Sequence, residues 1–260
     1  MAGNERISQA EVETALRGIK RACHAGLDSV ALRLEVVRRS AGVLPCEAYA
    51  LATTDPETGL MTHTIRAGIS EKAIARFLPA YLFEEAERMI DLARSTNKAA
   101  LLGPGSRDPR YHSDTFRRWL LENGLRLDLR AALCDRGDMW GTWCVMRETT
   151  APAFTPREVE FVARAAPHIG HGLRMAALRE CARPASAGNQ PAASVEAPPP
   201  AVVVADAHGR IVLRSSHAAR YLDDMADIGV GPADTPSAVV SLVGSVQAAL
   251  ARSEGDVDAL

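Results

Sequence analysis

The sequence predicts an α+β fold in which an antiparallel sheet is flanked by helices. Two stretches, 46–66 and 130–148, have the alternation and turn residues of β-hairpins, and the second is apolar on both faces. Amphipathic helical patterns precede and follow them, at 8–24 and 154–180. Because a sheet with two apolar faces has to be covered on both sides, we expect helices against one face and a pocket or further helices against the other.

The N-terminal region predicts two helices. Apolar residues recur at spacings of three and four in both, which is typical of one buried helical stripe. Gly26 is a suitable end for the first helix, and Asp28 is a suitable N-cap for the second. The stripe positions are Val12, Leu16, Ile19 and Cys23 in the first helix and Val30, Leu34 and Val37 in the second.

The next part of the chain predicts a hairpin and then helices. Residues 46–54 and 60–66 are rich in β-prone residues and enclose the turn sequence DPETG. Residues 71–95 have a mostly helical pattern, and the Gly- and Pro-containing stretch 103–109 is predicted as a loop. A short helix is predicted at 113–124, beginning with a Ser/Asp cap and ending at a glycine.

The hairpin at 130–148 is predicted to turn at Asp135–Asp138, where Gly137 supplies the turn chemistry. If the strands pair directly from that turn, alternation assigns each side chain to one of two faces. One face then carries Leu133, Trp140, Cys144 and Met146, and the other carries Ala132, Cys134, Trp143 and Val145.

The helix at 154–180 has a well-marked start. Thr155 is predicted as the N-cap, Pro156 as the first helical residue, and Glu158 as the partner in a capping box. A heptad-spaced stripe follows, and it suits either pairing with a second copy of this helix or packing against the chain's own N-terminal helices. We expect it to act in dimerisation and signalling, through Val159, Val162, Ala166, Ile169 and Leu173.

Composition divides the chain into four parts. An N-terminal helix occupies 1–27, an α+β domain 28–181, an Ala/Pro-rich linker 182–200, and a partial α/β segment 201–260. The last part begins with a strand, turn, strand and helix pattern, which needs further strands to close a sheet. It therefore looks like an incomplete second domain.

Charge and cysteine usage favour a soluble cytoplasmic protein. The five cysteines are scattered, no CxxC pair is present, and the first residues are polar. No apolar run approaches the roughly 20 residues that cross a bilayer. The net charge of −2 gives no basic excess, so we do not expect this chain alone to bind DNA.

Four segments carry a family resemblance. PCEAYALATTDPETGL, DRGDMWGTWCVMR and FTPREVEF resemble a GAF-type sensor domain, and AVVVADAHGRIVLRSSHAARYL resembles the start of a PAS-like segment. Together they resemble the sensor region of actinobacterial transcription regulators of the LuxR class, over roughly residues 28–253. The resemblance implies regulation of transcription through a C-terminal helix-turn-helix domain, which lies beyond the end of this sequence.

Aromatic and polar residues around the predicted hairpins are the candidate ligand-binding residues. An aromatic-lined cavity with a few polar groups is typical of small-molecule sites, although aromatic residues also commonly fill cores. The candidates are Tyr49, His63, Phe77, Tyr81, Trp119, Leu133, Trp140, Thr142 and Trp143.

Other chemistries have weaker support in the sequence. His168 and His171 share a helical face, but two histidines are too few for a metal site. Cys134 and Cys144 have no legible neighbour that would activate a thiolate, so they are predicted to be core residues. We therefore expect no catalytic residue, no metal and no cofactor.

The sequence thus predicts the signal-sensing region of a transcription regulator, working as a homodimer away from membranes. It would bind a small molecule or partner and transmit a change through the helix at 155–180. The alternative is a dimerisation or protein-interaction module that binds no ligand. The sequence leaves both alternatives open, as it does the ligand's identity.

Overall fold

The structure, a computed structural model, describes residues 7–57, 59, 61–70, 72–74, 76, 85–102, 113–182, 202–206 and 211–215, with isolated positions after 215. It is an α+β fold, as the sequence predicts. The helices are α1 (Gln9–Cys23), α2 (Ser29–Ser40), α3 (Ala86–Arg94), α4 (Asp114–Glu122) and α5 (Pro156–Ala182). The strands are β1 (Ala48–Thr54), β2 (Met61–Ala67), β3 (Ala99–Leu102), β4 (Leu125–Asp135), β5 (Asp138–Glu148), β6 (Val203–Ala205) and β7 (Ile211–Arg214).

Five strands form one antiparallel sheet in the order β2-β1-β5-β4-β3. The main hydrophobic core lies on one face, between the sheet and helices α1, α2 and α5. Two smaller clusters lie on the other face with residues of α3 and α4. We refer to these as the core face and the cavity face. Both faces are covered, which confirms the expectation from the two-sided apolar hairpin.

The two N-terminal helices form as predicted, with one difference in the buried side of α2. Ser8 and Glu11 form a capping box on α1, and Asp28 accepts the backbone N–H of Ala31 at the start of α2. The predicted stripe of α2 was only partly correct: Val37 packs against the main core, but the buried residues are Leu32, Arg33, Val36 and Ser40, and Leu34 is 46% exposed.

The burial of Arg33 explains the difference in α2. Its guanidinium donates to the carbonyl oxygens of Ser29, Leu51 and His63, at 3.0, 3.2 and 2.9 Å. These bonds satisfy a charged group that apolar periodicity would assign to solvent. The buried side of α2 therefore includes Arg33, whose hydrogen bonds attach the helix to β1 and β2.

The β4–β5 hairpin turns where the sequence predicts, but its register shifts by one residue beyond the turn. Asp135 lies opposite Asp138 and Cys134 opposite Met139, whereas Leu133 lies opposite Gly141. Trp140 is thus an extra residue in β5, that is, a β-bulge.

Because of the bulge, the predicted assignment of side chains to the two faces was wrong: a shift of one residue in register moves a side chain to the opposite face. Leu133 lies on the core face with Trp143 and Val145, not with Cys144 and Met146. Ala132 is paired with Thr142 on the cavity face, and Trp140 packs against the main core. The mutual placement of Trp143 and Val145 was predicted correctly.

Helix α5 begins with the predicted capping box. Glu158 accepts the backbone N–H of Thr155 at 2.6 Å, and Thr155 Oγ1 accepts the backbone N–H of Glu158 at 3.3 Å. The heptad stripe lies within the core of its own chain, where Val162, Ala166 and Ile169 are fully buried. Of the two packing alternatives, the structure shows the one with the chain's own N-terminal helices; Leu173 is also buried, and Val159 is half-buried.

The same end of α5 is joined to β5 by a buried ion pair. Arg147 donates to Glu158 and to the carbonyl oxygen of Pro45, the latter at 2.9 Å, and lies 4.1 Å from the ring centroid of Phe154. Glu158 therefore serves both the helix cap and a buried guanidinium.

In the C-terminal part of the chain, β6 and β7 form the predicted hairpin. The helix predicted after it falls almost entirely outside the described residues. Within the described part of the chain, no helix has both the length and the apolar character needed to cross a membrane.

We predict that Gly170→Val lowers the free energy of unfolding by about 1–3 kcal/mol, as overpacking of a closed interface does. A Cβ at Gly170 would lie 2.6 Å from the backbone oxygen of Cys134, where α5 rests on β4. Gly42→Ala is the control, because a Cβ there meets open space. Urea unfolding measures both; equal stabilities would contradict the close contact.

We also predict that Glu158→Ala lowers the free energy of unfolding by about 3–5 kcal/mol, since it leaves the guanidinium of Arg147 buried without its carboxylate. Glu160→Ala on the same helix is the matched control, because the Glu160 side chain is 65% exposed and its substitution should change stability by less than about 0.5 kcal/mol. Denaturant titration of both variants distinguishes them. Similar losses would show that the buried pair contributes little.

Candidate ligand cavity

A cavity lies on the cavity face of the sheet, next to residues of α3 and α4. Its volume is about 80 Å³, measured as the space open to the centre of a water molecule, which is room for several waters or a compact organic molecule. Most of the lining is apolar. The described lining residues are Ala50, Ala52, Met61, Thr64, Arg66, Ile69, Ile74, Met89, Phe116, Trp119, Arg130, Thr142, Cys144 and Met146.

Small side chains create the hollow. The strand register places Ala50 beside Cys144, and Ala52 beside Thr142, in the middle of the sheet. These four residues lie at the centres of two cross-strand rows. The first row is Arg66, Ala50, Cys144 and Arg130, and the second is Thr64, Ala52, Thr142 and Ala132. Strands β1 and β5 therefore form a floor of small residues, and in the first row the flanking strands β2 and β4 each supply an arginine.

Aromatic rings and methionines form the walls. The rings of Phe116 and Trp119 on α4 are stacked with centroids 5.7 Å apart, and the indole N–H of Trp119 donates to the carbonyl oxygen of Ala73 at 2.9 Å. The three methionines of the lining are unbranched and adapt their shape to what they contact. This surface suits an apolar molecule better than a strongly polar one.

A buried ionic network holds one side of the cavity. Arg130 donates to Glu85 at 2.5 Å and to Asp128 at 2.7 Å, and its guanidinium carbon lies 4.4 Å from the ring centroid of Phe116. Desolvation by burial opposes the charge, but the carboxylates of Asp128 and Glu85 raise the pKa of Arg130 above its usual value. Arg130 is therefore a permanent cation at the cavity wall.

The network also positions the two helices beside the cavity. Glu85 directly precedes α3, and its carboxylate accepts the backbone N–H of Ser113, the N-cap of α4, at 2.6 Å. The starts of α3 and α4 are thus tied to Arg130 on β4. Sequence patterns alone did not identify Arg130 as buried; its spacing of two from Asp128 along a strand is the signal that indicates this pair.

The structure brings two of the predicted ligand residues into the cavity lining, Trp119 and Thr142. Tyr49 and Trp140 instead pack against the main core, and Leu133 and Trp143 are fully buried within it. His63 lies beside Arg33, with its Nδ1 3.0 Å from the guanidinium. The predicted residues Phe77 and Tyr81 lie outside the described residues. The sequence did not indicate which face of the hairpin borders the cavity, and the bulge at Trp140 changes which residues of β4 and β5 share a face.

The cysteines of the hairpin are protonated thiols. Burial raises the pKa of both Cys134 and Cys144, and Asp128 adds to the effect at Cys144. Cys144 lies on the cavity floor beside Arg130, and Cys134 packs against the cluster around Met89. A thiol with a raised pKa is a poor nucleophile, in keeping with the predicted packing role.

One of the two histidines of α5, His171, lies beside a third histidine, His24, at the end of α1. The rings of His24 and His171 lie 5.2 Å apart, and His171 Nδ1 lies 3.2 Å from a carboxylate oxygen of Asp135. Across the described ranges, no group of three His, Cys, Asp or Glu side chains is placed to hold a metal ion. Desolvation lowers the pKa of His168, with further contributions from the charges of Lys20, His24 and His171.

Comparison with known proteins assigns the family. The family model of the GAF domain matches residues 24–173, which is more than half of the chain. The chain belongs to the GAF family. GAF domains are regulatory, small-molecule-sensing modules and not catalytic ones. The match includes α2, α5 as far as Leu173, the five-stranded sheet and the cavity.

The chain is also similar to several solved structures, all at low sequence identity. A GAF domain of a phosphoenolpyruvate-protein phosphotransferase from Coxiella burnetii is 17% identical, with 67% of this chain and 99% of that chain covered and a TM-score of 0.44. An N-acylhomoserine lactone-dependent LuxR-family transcription factor from Burkholderia cenocepacia is 13% identical, with coverages of 66% and 99% and a TM-score of 0.47. A phycoerythrobilin-bound GAF domain of a cyanobacterial phytochrome is 11% identical, with coverages of 65% and 97% and a TM-score of 0.48. A search of curated proteins gives no match.

We predict that the GAF domain loses stability as the pH falls below about 6.5, and that His168→Gln reduces this loss. The folded state lowers the pKa of His168 from its ordinary 6.5, so the unfolded chain takes up the proton first. The contribution of His168 to the free energy of unfolding is therefore fully present above pH 6.5, and it is lost as the pH falls from there through the lowered pKa of the folded state. Free energies of unfolding between pH 8 and pH 5 test this, and identical slopes for the two proteins would contradict it.

Proposed function

We propose that this chain is the sensory region of a transcription regulator and that its GAF domain binds a small molecule in the cavity. The cavity itself is the observation that carries the proposal. It combines a floor of small residues, aromatic and methionine walls, and a few polar groups, which is the composition of small-molecule sites. Membership of a family of sensing modules supports the same function.

Strand β5 provides a direct route from the cavity to α5. Its alternate side chains point to opposite faces, so Thr142 and Cys144 line the cavity while Trp143 and Val145 pack in the main core with α5. A ligand that favours one position of β5 therefore also favours one position of the helix. Transmission is a shift of population between two arrangements, driven by the difference in ligand affinity.

Gly170 allows direct backbone contact between α5 and the β4–β5 hairpin. It brings the α5 backbone against the backbone of Cys134 in β4, without an intervening side chain. A displacement of the β4–β5 hairpin thus acts on the helix directly. The helix then carries the change toward the linker at 182–200 and the segments after it.

The proposed context is a homodimeric LuxR-class regulator, with the β6–β7 hairpin opening a PAS-like segment and a helix-turn-helix domain beyond the present sequence. Since the heptad stripe of α5 is buried in its own chain, a second copy would contact the outer surfaces of the helices. Leu34 on α2 and Leu178 on α5 are 46% and 44% exposed there. A dimer would match the two half-sites that such DNA-binding domains use.

We predict that Ala52→Leu abolishes ligand binding, because it fills the cavity floor. Thermal-shift screening of a metabolite library should find a compound that stabilises the wild type by about 2.7 kcal/mol at one hundred times its Kd. Ala10→Leu, the same change at an exposed position of α1, should bind like the wild type.

Hydrogen exchange then tests transmission. Ligand should change the exchange of amides in α5 in the wild type and in the Ala10→Leu protein, but not in Ala52→Leu. If no compound stabilises the wild type, the sensor proposal fails and an interaction module without a ligand is favoured. Binding that leaves α5 unchanged would contradict the proposed route alone.

A further inference from the structure

We infer that the cavity selects an uncharged molecule with an apolar body and one hydroxyl or carbonyl group, and that Thr142 binds this group. The inference rests on the proposed function, because it assigns the ligand class of the same cavity. Two observations carry it. The arginines of the described lining already have partners within the protein, and a neutral hydroxyl lies on the cavity floor.

The charge of Arg130 is not available to an anionic ligand. Its guanidinium binds the carboxylates of Glu85 and Asp128, which are both buried, so one cation already faces two anions. Arg66, the other arginine of the described lining, also has an interaction within the chain. An anionic ligand would therefore lose its hydration without gaining a counter-charge of its own, and such a loss is costly.

The thiol of Cys144 shows that the cavity floor disfavours negative charge. Burial raises the pKa of this thiol, and the carboxylate of Asp128 raises it by more than the guanidinium of Arg130 lowers it. The neutral thiol is thus favoured over the thiolate although Cys144 and Arg130 are neighbours in the first cross-strand row. An anionic ligand on this floor would meet the same desolvation and the same nearby carboxylate.

Positive charge on a ligand is disfavoured as well. The described lining includes the guanidinium groups of Arg66 and Arg130, and none of its described members is an aspartate or a glutamate. The nearby carboxylates of Glu85 and Asp128 are engaged by Arg130. A cationic ligand would therefore lose its hydration and approach groups of its own sign. Since both signs of charge are disfavoured, the cavity favours a neutral molecule.

The second cross-strand row supplies the polar group that orients such a molecule. Thr142 lines the cavity from β5, and its neighbours in the row, Ala52 and Ala132, are both small. A threonine hydroxyl has one donor and two acceptor positions, so it can donate to a carbonyl or accept from a hydroxyl. Thr64 at the edge of the row already has an interaction within the chain, and the indole N–H of Trp119 is bound to a backbone carbonyl. We therefore assign the polar end of the ligand to Thr142.

Four probes that share one ring test the selection against charge. Toluene has no polar group, benzyl alcohol has a neutral hydroxyl, and at neutral pH benzoate is an anion and benzylamine a cation. Their affinities for the full chain are measured by ligand-detected NMR titration. The wild type should bind benzyl alcohol at least about tenfold more tightly than either charged probe, because a charge buried without a counter-charge is costly.

Variants of Thr142 test its role as the residue that binds the polar group. Thr142→Val keeps the shape of the side chain but removes its hydroxyl, so the ratio of the affinities for benzyl alcohol and toluene should fall about threefold to tenfold. Thr142→Ser keeps a hydroxyl and should keep the wild-type ratio within about twofold, by the same argument. A purely structural role of Thr142 would change the binding of both probes alike.

Thr149→Val is the matched control, because Thr149 is exposed and is not part of the described lining. Its ratio of affinities should equal that of the wild type. If Thr142→Val does not fold, Thr142→Ala takes its place in the comparison with Thr142→Ser.

The outcomes separate this inference from the proposed function. A charged probe that binds as tightly as benzyl alcohol overturns the ligand class and leaves the cavity as a binding site. An unchanged ratio in Thr142→Val overturns the role of Thr142. Probe binding that persists in Ala52→Leu lies outside the cavity and also overturns the inference. If none of the four probes binds, the ligand class is overturned, and the metabolite screen decides separately whether the cavity binds anything.

Discussion

The alternation of side chains along β4 and β5 is the constraint on which the rest of the structure depends. These two strands lie inside the sheet, so one face has to fill a helical core while the other faces the cavity and its helices. Trp143 and Val145 belong to the first face, and Thr142, Cys144 and Met146 to the second. Helix α5 therefore packs against one face of these strands, while their other face lines the hollow. The bulge at Trp140 sets which residues serve which face.

Buried arginines join the layers that this alternation separates. Arg33 ties α2 to β1 and β2, Arg147 ties β5 to the start of α5, and Arg130 ties β4 to the starts of α3 and α4. A buried ion pair is weak as a source of net stability, because desolvation offsets much of its attraction. Its geometric demands are strict, however, since a guanidinium has to meet several acceptors at once. These three residues therefore fix the orientation of helices whose apolar surfaces alone would allow other arrangements.

The sequence predicted the elements well because their signals are local. Caps at Ser113 and Thr155 and the turn at Asp135–Asp138 act within a few residues, and each is present in the structure. The face assignments failed because a bulge leaves no mark in an alternating pattern. The buried arginines were missed for another reason: a charged side chain is assigned to solvent unless its partners are known, and Glu85 lies 45 residues before Arg130.

The cavity was predicted only in part for the same two reasons. Trp119 and Thr142 were identified, but the residues that create the hollow are small, and a small residue in a strand has no distinctive pattern. Arg66 lies on an edge strand, where a charged residue is usually exposed. Its burial depends on what covers the strand, which is a tertiary property. These side chains are recognised as cavity residues by their positions in the cross-strand rows and not by their residue types.

A floor of small side chains has a consequence for how mutation can change the cavity. Ala50 and Ala52 lie on a strand whose other face is already packed, so exchanging either for serine or valine would alter the hollow by one or two atoms without disturbing the helices behind it. New chemical preferences can therefore arise through single substitutions at a few floor positions. The packing that holds α5 would stay the same while the shape of the hollow changes.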